Sequence, residues 1–121
     1  MFKYPFKDNI IKTKFGIYYI RPQTVDAITV SPAYERKDLN FLKRLIENNI
    51  DKNILFLDIG ANIGGYNINI ANTFRDKKEL SIYSFESLKC NYEILIKNIE
   101  VNRLYNKIKP IKKALSLILI L

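Results

Sequence analysis

The amino-acid sequence predicts an α/β fold built on a doubly wound parallel sheet. Residues 54–58 form an apolar run of strand length that ends in an aspartate, and a turn containing Gly60 and Gly64 follows directly. An amphipathic helix pattern opens at this turn, and residues 80–85 form a second strand pattern that ends in a glutamate. Strands that alternate with helices in this way are typical of parallel sheets in α/β proteins.

Three segments have the properties of parallel strands. Residues 54–58 are continuously apolar up to the aspartate, which predicts a strand buried on both faces of the sheet. Residues 80–85 alternate apolar and small polar side chains, and residues 107–111 form a third strand pattern. The 121 residues of the chain are enough for one domain.

Two helices are predicted between these strands. Each has one apolar face, because apolar residues recur at helical spacing. The first face consists of Ile63, Tyr66, Ile70, Ala71 and Phe74, and the second of Leu88, Tyr92, Leu95, Ile96 and Ile99.

Residues 1–50 are predicted to form a β hairpin and a helix ahead of the sheet. Residues 10–30 carry β-branched and aromatic side chains on either side of Arg21-Pro22-Gln23, which predicts two strands around that turn. Ser31 and Pro32 supply an N-cap and a first-turn proline for the helix. Its buried stripe comprises Leu39, Leu42, Leu45 and Ile46.

The turn after the first parallel strand indicates the type of ligand. A dinucleotide-binding turn has glycine at three positions, so that the main chain can approach a pyrophosphate. Here those positions hold Gly60, Asn62 and Gly65, and the side chain of Asn62 would fill the space of the pyrophosphate. The sequence also has no Gly-Lys-Ser/Thr motif for a triphosphate. These features disfavour NAD, FAD and phosphate-loop nucleotides, and they favour S-adenosylmethionine, which joins a nucleoside to a compact zwitterion.

Two acidic residues are placed to bind such a ligand. Asp58 ends the first parallel strand and would face the ammonium or the sulfonium group. Glu86 lies 22 residues after Gly64, a spacing at which an acidic residue accepts hydrogen bonds from ribose hydroxyls. The main-chain N–H groups that open the helix near Ile63 would bind the carboxylate.

Four segments carry a resemblance to a known family. They are Phe-Leu-Asp-Ile-Gly-Ala-Asn-Ile-Gly-Gly-Tyr (56–66), Tyr-Ser-Phe-Glu-Ser (83–87), Asn-Tyr-Glu-Ile-Leu-Ile-Lys-Asn-Ile-Glu-Val-Asn (91–102) and Lys-Ala-Leu-Ser (113–116). In order and spacing they resemble the FkbM-type family of S-adenosylmethionine-dependent methyltransferases. The upstream segments Arg21-Pro22, Asp26-Ala27-Ile28 and Tyr34-Glu35 are similar to that family less specifically, so the resemblance spans about residues 20–116.

The resemblance implies a Rossmann-like doubly wound sheet of the class I methyltransferases, with only its first, cofactor-binding half in residues 51–116. It implies transfer of a methyl group to a hydroxyl of a sugar, a glycan or a secondary metabolite. The implied cofactor-binding residues are Asp58, Gly60, Ala61, Asn62, Ile63, Gly64, Glu86 and Ser87. The chain has no histidine, and no other residue is an obvious catalytic base. Tyr34 and Glu35 could approach the site, but an ordinary exposed pair is the favoured interpretation.

Residues 117–121 form an apolar tail, Leu-Ile-Leu-Ile-Leu. The tail follows residues 107–111 too closely to be a fourth parallel strand and is too short to span a membrane. We interpret it as the product of truncation or a frame shift, because the family pattern places a polar or acidic residue after Ser116. Without the second half of the sheet, residues 54–58 would form an exposed apolar edge, which predicts a marginally stable monomer or a homo-oligomer.

Two alternatives to a small-molecule or glycan methyltransferase stay open. The net charge of +8, with five cations and no acidic residue after Glu100, allows a nucleic-acid methyltransferase. Lysines occur along the whole chain, however, and solvated lysine-rich faces are common, so nucleic acid is the less favoured partner. The second alternative is an inactive remnant or interaction module without catalysis.

Composition indicates the remaining properties. The absence of histidine and of any Cys/His/carboxylate cluster predicts that the chain has no metal site. Cys90 is the single cysteine, which we interpret as structural or incidental and as compatible with a reducing compartment. The first residues contain no apolar signal region, so a cytoplasmic location is predicted.

Overall fold

The computed structural model describes residues 9–116 and contains two sheets. The elements are β1 (Asn9–Thr13), β2 (Gly16–Ile20), α1 (Asp26–Thr29), α2 (Arg36–Glu47), β3 (Ile54–Ile59), α3 (Gly65–Thr73), β4 (Leu80–Phe85), α4 (Lys89–Val101) and β5 (Ile108–Ile111). The predicted order of three strands and two intervening helices is confirmed. The predicted apolar tail, residues 117–121, lies outside the described residues.

The larger sheet has three parallel strands in the order β3-β4-β5. Ile54 is paired with Leu80, and Ile82 is paired with Ile108. This parallel arrangement confirms the predicted α/β fold class. It also places β3 at an edge of the sheet within the described part of the chain, as expected.

Within residues 9–116, only one face of this sheet is covered. Side chains that point toward α3 and α4 are buried, among them Leu80, Ile82, Ser84 and Ile108. Side chains that point the other way are exposed, namely Leu55, Leu57, Ile59 and Tyr83. The prediction that residues 54–58 are buried on both faces is therefore wrong. The apolar run is typical of a doubly covered strand, but in residues 9–116 exposure alternates along β3, so one side of it is open.

The hairpin is shorter and earlier than predicted. β1 and β2 pair antiparallel from Asn9 opposite Ile20 to Thr13 opposite Gly16. The turn is therefore at Lys14 and Phe15, where the Phe15 N–H donates to Thr13 Oγ1 at 3.1 Å. The predicted turn at Arg21-Pro22-Gln23 instead follows the second strand.

An ion pair explains why no strand follows Arg21. Asp26 is fully buried, and its Oδ2 accepts hydrogen bonds from the Arg21 main-chain N–H at 2.9 Å and from Arg21 Nε at 2.8 Å. Burial opposes ionisation, but these bonds and the charge of Arg21 hold the pKa of Asp26 below its usual range. Arg21 Nη1 also donates to Asn91 Oδ1 at 2.8 Å, which fixes the segment to the start of α4. The chain accordingly turns into the short helix α1 here.

The helix predicted to begin at Ser31-Pro32 begins at Arg36. Ser31 instead closes a turn, since its carbonyl accepts from the Tyr34 N–H at 3.0 Å and its Oγ accepts from the Ala33 N–H at 3.3 Å. Glu35 then adopts a left-handed conformation with φ 46° directly before the helix. The serine makes the capping contact of a turn and not of a helix.

Asn98 of α4 and Asn102, which directly follows α4, bind the hairpin as a neighbouring strand would. Asn102 Oδ1 accepts from the Ile17 N–H at 3.0 Å, and its Nδ2 donates to the Ile17 carbonyl at 2.6 Å. Asn98 makes the equivalent pair with Tyr19, at 2.6 Å from the N–H and 3.3 Å to the carbonyl. Because residues four apart lie on one helix face, the two amides satisfy alternate main-chain groups along the edge of β2.

Candidate functional site

The turn between β3 and α3 has a conformation that depends on its residue types. Gly60 has φ 75°, Asn62 has φ 53° and Gly64 has φ 101°, and asparagine is among the few other residues that tolerate this region. At Gly64 an added Cβ would also lie 2.9 Å from Ile68 Cδ1 and 3.0 Å from Leu95 Cδ1. Gly64 therefore allows the turn to pack directly on α3 and α4.

The turn is fastened to the end of β4. The N–H groups of Gly60 and Ala61 both donate to the Phe85 carbonyl at 2.9 Å. Glu86 is buried, and its Oε2 accepts from the Asn62 N–H at 2.7 Å while its Oε1 accepts from the Leu88 N–H at 3.1 Å. The predicted ribose-binding carboxylate thus positions the turn itself, and each oxygen keeps lone-pair capacity for a further donor.

Asp58 is the second-last residue of β3 and lines the cavity at the turn. Its Oδ2 accepts a hydrogen bond from Asn67 Nδ2 at 3.0 Å, and the same nitrogen donates to Ser84 Oγ at 2.9 Å. Burial is the main cause that raises the pKa of Asp58 to about 6, and the nearby charge of Glu86 acts in the same direction. At neutral pH the site therefore contains a carboxylate whose ionised form is poorly stabilised by the residues around it.

Two further acceptors near the turn have no partner among the described residues. Asn62 Oδ1 and Asn67 Oδ1 are buried, and neither accepts a hydrogen bond from any of the described residues. Buried polar atoms usually have partners, so such atoms indicate a missing donor. Of these two asparagines only Asn62 lines the same cavity as Asp58, and their side-chain oxygens suit a cationic group with several N–H donors.

A cavity of about 160 Å³ opens at Asp58 and Asn62. It is lined by the turn residues 60–63 and Asp58, and on the opposite side by Tyr34, Glu35 and Tyr66. The Tyr66 hydroxyl donates to the Glu35 carboxylate. The N-terminal segment is held close to the turn because Gly65 leaves room for the Thr29 carbonyl, which would lie 2.8 Å from an added Cβ.

The structure brings together most of the residues that the sequence indicated. Asp58, Gly60, Ala61, Asn62 and Ile63 line the cavity, whereas Gly64 and Glu86 support the turn from behind. Ser87 follows Glu86 and is exposed, and it does not line the cavity.

The sequence reasoning missed four contributors to the site. The sequence favours an ordinary exposed pair for Tyr34 and Glu35, yet both residues line the cavity. Asn67 and Asn98 were not singled out, although Asn67 binds Asp58 and Asn98 Nδ2 donates to the Ile63 carbonyl at 2.8 Å. An asparagine within the apolar pattern of a helix was the available signal, because a buried amide requires partners.

Comparison with solved structures shows the Rossmann-like methyltransferase fold. A putative caffeoyl-CoA O-methyltransferase from Staphylococcus aureus has a TM-score of 0.56 and 21% identity over 70% of this chain. The TYW2 protein of M. jannaschii, solved in complex with AdoMet, has a TM-score of 0.51 and 22% identity over 84% of this chain. The tRNA (uracil-54, C5)-methyltransferase of Pyrococcus abyssi, solved with S-adenosyl-L-homocysteine, has a TM-score of 0.51 and 18% identity over 84% of this chain.

The chain matches only part of each of these proteins. It covers 38% of the Staphylococcus aureus protein, 41% of the M. jannaschii protein and 23% of the Pyrococcus abyssi protein. No protein-family model and no curated protein matches the sequence. No helix in residues 9–116 is long and apolar enough to cross a membrane.

Proposed function

We propose that the chain binds S-adenosylmethionine at the carboxyl end of β3 and is the cofactor-binding part of a methyltransferase. In this proposal it is of the FkbM type, acts in the cytoplasm and methylates a hydroxyl of a sugar, a glycan or a secondary metabolite. The observation that carries the proposal is that Asp58 and Asn62, whose Oδ1 has no partner among the described residues, line one cavity at a left-handed turn. A methyltransferase fold alone would not require an unpaired amide oxygen beside that carboxylate.

The residues of the site fit the separate parts of the cofactor. Asp58 and Asn62 Oδ1 would hold the ammonium group of the methionine end. The first N–H groups of α3, residues 65–67, precede the first helical bond, from the Ile68 N–H to Gly64, and would hold the carboxylate. Glu86 would accept from the ribose with the lone pairs that its two main-chain contacts leave over.

The chemistry divides between the cofactor and the chain. When bound, the cofactor supplies an electrophilic methyl group on its sulfonium. The chain holds that group in place at a turn that is already fixed by β4 and α4, which favours a productive orientation. Glu35, bound by Tyr66 at the rim of the cavity, is the carboxylate best placed to accept a proton from a hydroxyl acceptor.

Calorimetric titration with S-adenosylhomocysteine tests the proposal, because this product keeps the methionine and nucleoside ends. We expect saturable binding by the purified chain and a loss of about tenfold or more in Asp58→Asn, since the ammonium loses a charged acceptor. Asp76→Asn is the matched control, because Asp76 is exposed and does not line the cavity. A folded chain that shows no saturable binding would overturn the proposal.

The pH dependence of that binding is a second readout. Asp58 has a pKa of about 6, so its charge is lost as the pH falls through that value. Affinity for S-adenosylhomocysteine should therefore be level near neutral pH and decline below about pH 6. In Asp58→Asn this decline should be absent.

A nucleic-acid acceptor is the second candidate. It is favoured by the net charge of +8 and by a second cavity that is lined by Lys14, Arg36 and Lys43. A homo-oligomer joined through the open edge of β3 would be compatible with either acceptor.

A further inference from the structure

A second cavity, of about 340 Å³, lies between the hairpin turn and the start of α2. Three cationic side chains line it, from Lys14, Arg36 and Lys43, together with the ring of Phe15 and the amide of Asn69. None of the described residues that line it is acidic. We refer to it as the basic cavity.

The two lysines are held close together by one aromatic ring. Lys14 Nζ lies 4.8 Å from the centroid of Phe15, and Lys43 Nζ lies 3.6 Å from it. Burial and the charge of Lys14 lower the pKa of Lys43, although Glu47 on the same helix acts in the opposite direction. Across residues 9–116, no salt bridge is formed by Lys14, Lys43 or Arg36. The positive charges are therefore concentrated in the cavity without a carboxylate on its wall.

Neutral donors complete the lining. Asn69 is only 4% exposed, and its Nδ2 has no hydrogen-bond acceptor among the described residues. The first main-chain bond of α2 is donated by Leu39, so the N–H groups of residues 36–38 also have no acceptor in that part of the chain. α2 is a twelve-residue helix, and its positive end therefore adds to the field of the three cations.

We propose that the basic cavity binds a phosphate group. Ammonium, guanidinium and amide donors that converge without an acidic neighbour match the several acceptor oxygens and the negative charge of a phosphate ester. A neutral or cationic ligand would leave the cations without compensation.

The position of the basic cavity indicates which reactant carries the phosphate group. Glu35 lines the proposed cofactor cavity and Arg36 lines the basic cavity, so the two lie on either side of one loop. Tyr66 lines the proposed cofactor cavity and Asn69 lines the basic cavity. Because these residues are three apart on α3, they lie on the same helix face, and the two cavities are therefore neighbours. Resting on the proposed function, the phosphate belongs to the methyl acceptor, either as a nucleic-acid backbone or as a phosphorylated small molecule.

Nuclear magnetic resonance titration of the ¹⁵N-labelled chain tests this inference at physiological ionic strength. The probes are inorganic phosphate, glucose 6-phosphate and a single-stranded oligouridylate. We expect at least one ester to saturate and to shift the side-chain amide of Asn69 and the main-chain amide of Arg36. In the double variant Lys14→Gln/Lys43→Gln the affinity should fall by about tenfold or more, since two charged donors are removed.

The double variant Lys97→Gln/Lys109→Gln is the matched control. It removes the same net charge, and each of these lysines also lies over an aromatic ring, at 5.8 Å from Tyr19 and 5.7 Å from Tyr83. Affinity should change by less than about twofold, because distant charges are screened. An equal loss in both double variants, or the absence of saturation by every probe, would overturn the inference.

The three probes separate the sources of the phosphate. Tighter binding of the oligouridylate than of glucose 6-phosphate supports a nucleic-acid acceptor, and the reverse order supports a phosphorylated small molecule. Binding of inorganic phosphate alone would overturn the assignment to the acceptor.

Titration of the same samples with S-adenosylhomocysteine keeps the two proposals distinguishable. Phosphate-ester binding without S-adenosylhomocysteine binding would contradict the proposed function and retain the basic cavity. Binding of S-adenosylhomocysteine without binding of a phosphate ester would contradict only the phosphate site in the basic cavity.

Discussion

The two faces of the parallel sheet have similar side chains and opposite surroundings. Ile82 points toward the helices and is 0% exposed, whereas Ile59 points away from them and is 60% exposed. Leu55 and Leu57 lie on the same open face as Ile59, and both are exposed. The difference shows that an apolar strand pattern does not by itself establish that both faces are covered.

The candidate cofactor site is built on the covered face alone. Asn67 of α3 binds Asp58, and Asn98 of α4 binds the Ile63 carbonyl, so both helices that cover the sheet also hold the turn. Within the described residues, the exposed side chains of Leu57 and Tyr83 do not line the cavity. Changes on the two faces should therefore have different consequences for stability and for ligand binding.

The largest expected effect is a loss of stability from truncating the covered face. Ile82→Ala should lower the free energy of unfolding by about 2–5 kcal/mol, because it removes buried methyl groups and leaves a cavity between sheet and helices. Urea denaturation would measure the change. Ile59→Ala is the matched control on the open face, where we expect a change of about 0.5 kcal/mol or less. Equal losses in the two variants would show that the open face is also packed in solution.

The next effect concerns the polar contacts behind the covered face. Asn98 is fully buried and binds both main-chain groups of Tyr19 as well as the Ile63 carbonyl. Asn98→Ala should cost about 2–3 kcal/mol, because it leaves buried main-chain groups without partners. It should also weaken S-adenosylhomocysteine binding, since the turn loses a support.

The exposed neighbour Lys97 provides the comparison for that variant. Lys97→Ala, measured by thermal unfolding and by the same titration, should change neither property appreciably. If Asn98→Ala retained full stability, the hydrogen bonds from the Asn98 amide to β2 would not stabilise the hairpin as a neighbouring strand does.

The sequence predicted the parallel strands and the glycine turn better than the position of the hairpin turn. The strands at residues 54–58 and 80–85 and the glycine turn were predictable, because strand length, side-chain period and left-handed backbone each leave a local pattern. The turn at Lys14 and Phe15 was not, since residues 21–30 have β-forming side chains but are bent by the buried pair of Arg21 and Asp26. A contact that depends on tertiary burial leaves no such pattern.

The same limit applies to the candidate site. Asp58, Asn62 and Glu86 could be predicted because they follow strands or the turn at recognisable spacings. The second role of Glu86, as an acceptor for the Asn62 N–H, follows from the approach of two loops and has no counterpart in the spacing. Exposure of the open face likewise depends on which helices are present and not on the strand itself.

A smaller effect of opposite sign is expected at Asp58. Its pKa in the folded chain, about 6, lies above the ordinary aspartate value of 3.8, so the folded state binds the proton more tightly than the unfolded state. Stability should fall as the pH rises between these two values and then stay level. Asp58→Asn should therefore be more stable than the parent by about 1–2 kcal/mol at neutral pH, an advantage that disappears below about pH 4.

Thermal unfolding at several pH values would measure this advantage. The variant retains an oxygen that can accept from Asn67, so the contact itself is not lost. Greater stability combined with weaker S-adenosylhomocysteine binding would indicate a carboxylate kept for the ligand. A destabilised variant would instead show that Asp58 supports the fold of the covered face.

The smallest effect on stability is expected on the open face, where association should change instead. The Ile54 and Gly60 N–H groups donate toward β4, so by alternation Leu55, Leu57 and Ile59 direct their main-chain groups to the open edge. An apolar edge of this kind pairs readily with another chain. Leu57→Lys should change the free energy of unfolding by about 0.5 kcal/mol or less, leave S-adenosylhomocysteine binding intact and shift the chain toward the monomer in light scattering. A parent chain that is already a monodisperse monomer at the same concentration would contradict this expectation, because the exposed leucines would then cause no association for the lysine to prevent.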